Sequence, residues 1–259
     1  MDATLLQISL LFTAALVAGT VDAIAGGGGL ITLPALLAVG LPPHLALGTN
    51  KGQSVFGSFA ALARFWRAGM VDPKRALLTF PAGLFGSAAG ALLVLRLRPE
   101  TLRPLVLVLL VAVAGFLLVH RPQPKPGQLA PEGHPRARAV AALLALFIGA
   151  YDGFFGPGTG TFLIVGSVAL LGDGLARASA GAKVVNFASN LAAVATFALQ
   201  GVVLWRIALP MAAAQLLGGF IGAHLAVRGG DKVVRRVVLA VVAALVVKLG
   251  RDIFLARAG

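Results

Sequence analysis

The chain has 259 residues, of which 58% are apolar and only 12% charged, with a formal net charge of +13. Soluble domains run roughly 45–50% apolar and about 25% charged, so an ordinary globular domain is excluded. The basic residues fall between apolar runs, as at Arg64/Arg67/Lys74/Arg75 and Arg228/Lys232/Arg235/Arg236, with no interleaved aromatic surface. That is the pattern of loops held against anionic lipid, not of a nucleic-acid-binding face.

Apolar runs of about 17–25 residues, the length that crosses a hydrocarbon core, recur from end to end. No Lys or Arg precedes Lys51, so residues 4–20 read as a retained first span rather than a cleaved signal. The first run, 4–25, meets a glycine break and a short apolar piece, 30–39. Longer segments follow at 44–66, 73–95 and 102–119. Residues 121–137, "RPQPKPGQLAPEGHPRA", are polar, Pro-rich and aperiodic, which predicts a linker. Beyond it come 139–155, a second Gly-rich break, a short piece at 160–171, and segments at 176–200, 206–227 and 233–255. The expected fold is all-α: a polytopic membrane protein of 8–10 segments, with broken or half helices at the Gly-rich motifs.

The two halves resemble each other, giving units 1–120 and 138–259 around the linker. "GTVDAIAGGGG" aligns with "GAYDGFFGPGT" at an offset of 130, placing Asp22 on Asp152. At an offset of 132, Lys51 meets Lys183, Gly86 meets Gly218, Gly90 meets Gly222, and Arg96 and Arg103 meet Arg228 and Arg235. Acidic and basic matches in order, on apolar chains, point to internal duplication, a common plan of secondary transporters. The short pieces are expected to be half-helices or tilted spans. If they cross, each half has five spans and the halves are inverted; if they turn back, each has four and the halves are parallel. Loop Lys and Arg divide alike under both arrangements, and either way the side holding 64–75 and the linker is expected to be cytoplasmic. The spacing of Gly86 with Gly90, and of Gly218 with Gly222, predicts close helix contacts.

Asp22, Lys51, Asp152 and Lys183 lie inside apolar segments, where each costs roughly 2.5–3.5 kcal/mol on insertion scales. On a helix the i, i+3 and i+7 positions share a face. From Lys51 these are Ser54 and Ser58; from Lys183 they are Asn186 and Asn190, and Thr49, Asn50 and Gln53 add polarity in the first half. A cation with a row of neutral hydrogen-bonding groups suits a small oxyanion. Four consecutive glycines, each costing a helix about 1 kcal/mol relative to alanine, end the first helix. A new helix beginning near Leu30 or Gly160 would aim its free N–H groups at an anion in a cavity. The candidate substrate contacts are therefore Lys51, Lys183, Thr49, Asn50, Ser54, Ser58, Asn186 and Asn190, with Gly27, Gly28, Gly29, Gly158 and Thr159 at the breaks. Asp22 and Asp152 are candidates for proton coupling. Alternatively they neutralise lysines, Asp22 with Lys51 and Asp152 with Lys183, as a helix clamp.

Other signals are weaker. The glycine loops lack the spacing and context of a nucleotide-binding motif. His44, His120, His134 and His224 have no metal-ligand spacing and are expected at helix ends or in the linker, and no metal or cofactor is expected. With no cysteine and no nucleophile–base set, an enzyme is not expected. Trp66, Trp205 and Tyr151 are expected to mark membrane interfaces.

"DAIAGGGGLITLPALLAVGLPPHLALGTNKGQSVFGS" and "YDGFFGPGTGTFLIVG" resemble the TauE/SafE (TSUP) family of membrane transporters over nearly the whole chain. The resemblance implies a multi-pass protein of the cell inner membrane that moves small sulfur-containing anions, sulfite and sulfonates above all. It also picks out Asp22, Gly26 to Gly29, Pro34, Gly48, Thr49 and Lys51, and Asp152, Gly156, Gly158 and Lys183. Pro157 and Thr159 depart from the glycines of the first half, implying a stiffer second loop. The expected partners are a small anionic solute and the lipid bilayer, with no nucleic acid; monomer and homo-oligomer stay open. A passive anion channel and a non-transporting structural component are the competing readings.

Overall fold

A computed structural model describes residues 5–119 and 135–258, and among these there is helix but no strand. The first half comprises α1 (Leu5–Ala25), the short α2 (Gly29–Ala38), α3 (Pro43–Arg67), α4 (Pro73–Leu95) and α5 (Pro99–Val119). The second comprises α6 (Pro135–Phe154), the short α7 (Thr159–Gly166) continued by a π-helical turn (Ser167–Leu171), α8 (Leu175–Leu199) and α9 (Trp205–Ala258). Residues 121–134 of the expected linker lie outside the described residues, and its last three positions already belong to α6. α9 is two helices joined at Gly230, whose φ of 55° suits glycine alone. Directly after that bend, Asp231 accepts the Ala176 N–H at 2.7 Å and caps α8.

α1, α4, α8, residues 136–154 of α6 and residues 205–237 of α9 are long and apolar enough to cross a bilayer. The outer faces are Leu- and Phe-rich: Leu77, Phe85 and Leu93 of α4 are all exposed. The interior combines buried Leu, Val and Phe with many Ala, Gly and polar residues. Lipid supplies no hydrophobic drive between helices, so close packing of small residues must do so. At Gly86 and Gly90 a side chain would run into the backbone of Leu146 and Ala150 on α6. At Gly218 and Gly222 it would run into Leu16 and Thr20 on α1.

These contacts fix directions. Gly86 lies by Leu146 and Gly90 by Ala150, so α4 and α6 run the same way. Gly218 lies by Leu16 and Gly222 by Thr20, so α1 and α9 do too. α3 is parallel to α9, with Gly52 by Ala208, Gly57 by Gln215 and Arg64 by His224. Hence α1 and α3 are parallel, and α2 between them must lead the chain back. α4 returns antiparallel to α3, bringing Val94 to His44 at 3.2 Å. α6 therefore runs opposite to α1. The expectation that returning short pieces would leave the halves parallel is corrected. The α1–α2 hairpin ends on the side where it began, and α3, α4 and α5 then traverse the bundle three times, so α6 starts from the other side.

Candidate functional site

The two hairpins meet tip to tip. Gly26, at φ +80°, ends α1 and lies against the backbone of Gly160 and Thr161, and the Thr161 hydroxyl donates to the Ala25 carbonyl at 2.8 Å. A Cβ at Gly26 would collide with that backbone, so the break is a contact requirement as well as a turn. Across the second break, Tyr151 Oη donates to the Pro157 carbonyl at 2.5 Å while its ring packs on Phe155 and Phe162. Tyr151 therefore braces the hairpin and does not mark an interface, because its hydroxyl and ring are both satisfied inside the bundle. Trp66 and Trp205 are exposed near helix ends.

The four intramembrane charges form two pairs, and the pairing crosses between halves. Lys51 Nζ of α3 lies 2.7 Å from Asp152 Oδ1 of α6. Lys183 Nζ of α8 lies 2.8 Å from Asp22 Oδ2 of α1. The clamp anticipated within each half, Asp22 with Lys51 and Asp152 with Lys183, is corrected: α3 faces the second half's hairpin and α8 the first's. Lys51 is 2% exposed and Lys183 0%, so neither snorkels to an aqueous face. Asp152 also accepts from Thr159 Oγ1 at 2.8 Å through Oδ1 and from the Ser189 hydroxyl through Oδ2. Asp22 Oδ1 accepts the Gly28 N–H at 3.2 Å. Each carboxylate thus holds a lysine and the start of the returning short helix, which offsets the desolvation of both charges.

Between the pairs is a small polar cavity with about 30 Å³ of free space. Of the candidate residues it is lined by Asp22, Asp152, Lys51, Asn50 and Ser54, by Asn186 and Asn190, and by Gly28, Gly29 and Thr159. Lys183 is not in its wall; it stands behind Asp22. Thr49 is directed elsewhere, its hydroxyl accepting the Leu204 N–H at 3.1 Å to fix the start of α9. Ser58 turns back to the Ser54 and Val55 carbonyls. Gly27 does not line the cavity, and Gly158, at φ +85°, packs towards Val113. These four expected contacts share a helix face or a loop with the site but do not line it: the start of α9 takes Thr49, the carbonyls of α3 itself take Ser58, and Gly158 packs against α5. Because the lysines are already paired, the site is a set of two ion pairs among amides and hydroxyls.

Gln215 of α9 lines the cavity and was not foreseen. It is 3% exposed and wedged against Gly19 and Gly57; a single amide in the apolar stretch of α9 was the available signal. Gly156 and Gly160 also contribute, and a Cβ at Gly156 would stand 2.8 Å from Lys51 Nζ. Asn50 is held by Thr32 at 2.6 Å and Gln53 at 2.9 Å. Asn186, by contrast, is 4% exposed and its Oδ1 has no hydrogen-bond partner among the described residues. A buried amide left unpaired costs about 1–3 kcal/mol, a cost tolerated where it serves a ligand.

A helical bundle that is apolar outside, with buried charges at the tips of broken helices, defines a multi-pass membrane protein with an internal polar site. The family model described as "Sulfite exporter TauE/SafE" matches residues 11–249. The chain is 39% identical over 247 residues to "Probable membrane transporter protein ORF9" of a Sinorhizobium species, covering 95% of this chain and 93% of that one. It is 38% identical over 239 residues to a "Probable membrane transporter protein" of Haemophilus influenzae, covering 92% of each. To "Probable membrane transporter protein YfcA" of Escherichia coli K12 it is 36% identical over 247 residues, 95% of this chain and 91% of that one. No solved structure matches. The chain belongs to the TauE/SafE family of membrane transporters.

Proposed function

We propose that this transporter moves small anions, namely sulfite, sulfonates or related sulfur oxyanions, by secondary transport coupled to protons. We place it in the cell inner membrane, with the 64–75 side cytoplasmic, and read its halves as copies of one unit in opposite orientations. The observation that carries the proposal is the polar cavity bounded by two buried lysine–carboxylate pairs at the tips of two returning hairpins. With about 30 Å³ of free space the cavity holds little more than water as it stands, so an anion is admitted only as its walls move apart.

The chemistry follows from charge balance. With a lysine bound to its aspartate the site is neutral and an arriving anion meets a carboxylate. If that carboxylate takes a proton, the ammonium stays charged and needs an anion; Asn186, Asn190 and Ser54 offer the further donors. One proton and one monovalent anion thus enter together and leave together. Charge-assisted hydrogen bonds to the oxyanion replace those to the carboxylate. The family description and the neutral donor row both support an oxyanion substrate.

The test is purified protein in proteoliposomes with an internal pH dye and sulfite as solute. The proposal expects saturable sulfite uptake with internal acidification at a fixed proton-to-anion ratio. Non-saturating flux with no proton movement indicates a channel. If Lys51→Met lowers stability while the folded fraction still binds sulfite unchanged, the ion pairs are only a clamp. A thermal-shift screen with sulfite, sulfate, thiosulfate, taurine and simple carboxylates ranks substrates, since a ligand of the folded state stabilises it by RT ln(1 + [L]/Kd).

A further inference from the structure

The two ion pairs occupy matching places in the two halves, yet their surroundings differ. Asp152 is held by side chains from three helices: Lys51 of α3, Thr159 of α7 and Ser189 of α8. Its side chain is 5% exposed. Among the described residues Asp22 has one side-chain partner, Lys183, and otherwise only the Gly28 N–H at 3.2 Å, and its side chain is 25% exposed. The sequence explains the difference. At the same offsets that align the two halves, Thr159 corresponds to Gly29 and Ser189 to Gly57. Both hydroxyls that tie Asp152 are thus replaced by hydrogen in the first half.

We infer that Asp22 is the carboxylate that takes up and returns the transported proton, while Asp152 keeps its partners throughout the cycle. This rests on the proton-coupled reading above. Asp22 stands between the cavity and Lys183, so an anion entering the cavity reaches that ammonium only when Asp22 gives it up. Releasing Asp22 breaks one ion pair and one long backbone contact. Releasing Asp152 disconnects three helices at once. The fixed Lys51–Asp152 pair then serves as a wall of the site, and Lys51 contributes its remaining N–H bonds. The charged groups facing Asp22 are Lys183 from α8 and, across the cavity, Lys51 of α3 and Asp152 of α6. α2 and α9 present only the backbone at Gly28 and Gly29 and the neutral Gln215 amide.

The step balances simply. A proton from the aqueous phase adds to the Asp22 carboxylate, Lys183 stays an ammonium ion, and the anion supplies the missing negative charge. On the far side the anion leaves and the proton follows.

The experiment compares Asp22→Asn and Asp152→Asn in proteoliposomes, reading labelled-sulfite exchange and dye-reported proton movement together. Asp22→Asn is expected to lower the proton-to-sulfite ratio at least tenfold in whatever exchange it retains. Asp152→Asn is expected to lower the melting temperature, with the surviving folded protein keeping the wild-type ratio. A second variant guards against misfolding of the first. Gly29→Thr places a hydroxyl beside Asp22 where Thr159 stands beside Asp152, with the nearest atom, Pro157 Cα, 3.1 Å from the new Cβ. It is expected to shift the pH profile of uptake by at least half a pH unit. An unchanged ratio in folded Asp22→Asn, or an unchanged profile in folded Gly29→Thr, overturns the assignment to Asp22. If the wild type moves sulfite without protons, the coupling reading itself fails, and this inference with it.

Discussion

Lys51 and Asp152 are 101 positions apart in the chain and 2.7 Å apart in space, each drawn from a different half of the molecule. Neither half can neutralise its own buried charges. Removing one partner of such a pair typically costs about 3–5 kcal/mol, because the other charge is left uncompensated. Lys51→Met is therefore expected to lower unfolding stability by that amount, and Lys51→Met/Asp152→Asn to recover most of it. A double-mutant cycle distinguishes crossed from local pairing. Lys51 with Asp152 should couple strongly, whereas Lys51 with Asp22, which faces it only across the cavity, should couple more weakly.

Gly26 and Gly69 share a left-handed backbone, φ +80° and +68°, but not a setting. Beside Gly69 there is open space, whereas the backbone of Gly160 occupies the place a Cβ at Gly26 would take. Gly69→Ala is expected to cost only the left-handed penalty of about 1–2 kcal/mol. Gly26→Ala adds a backbone collision between the two hairpin tips, so it should destabilise more and abolish sulfite-dependent thermal stabilisation. Melting curves of both variants, with and without sulfite, test this.

The helices and the buried charges were largely legible in the sequence, because an Asp or Lys in an apolar run and a row of glycines are local signals. Partnership was not. Lys51 and Asp22 share a half, and nothing in helical periodicity says that α3 faces α6 rather than α1. Thr49 shows the same limit: it lies two residues before Lys51 in sequence, yet its hydroxyl serves the Leu204 N–H because α9 begins there. Gln215 was overlooked because one amide in an apolar helix is a weak cue until Gly19 and Gly57 are seen to make room for it. The reversal at α2 was equally hidden. Ten residues of helix have the same sequence signature whether they continue outward or turn back, and only the parallel course of α1 and α3 decides.

The matching reversal at α7 has a direct test, helped by the absence of cysteine. Lys74, Pro42, Glu100 and Gln200 are exposed. The helix directions put Lys74 at one end of the bundle and the other three at the opposite end. Single cysteines at these positions, labelled in intact cells with a membrane-impermeant maleimide, should separate the same way. Pro42→Cys, Glu100→Cys and Gln200→Cys should react from outside, and Lys74→Cys only after the cells are opened. Labelling of position 200 from the Lys74 side would mean that α7 does not lead the chain back.

Asn186 offers the sharpest separation of stability from function. Its amide lies in the cavity wall, with Nδ2 close to the meeting point of Gly26 and Gly160, while Oδ1 has no partner among the described residues. An unpaired buried polar group is a liability to the fold, and replacing it with an apolar group of similar shape is neutral or stabilising. Asn186→Leu is thus expected to match or exceed the wild-type melting temperature in the absence of anion. If the amide is kept for an oxyanion, its loss removes a hydrogen bond to a charged group, worth about 1.5–3 kcal/mol, or roughly tenfold to a hundredfold in affinity. Calorimetric titration with sulfite reads that term alone. Affinity unchanged in a protein no less stable than wild type would place the anion away from α8.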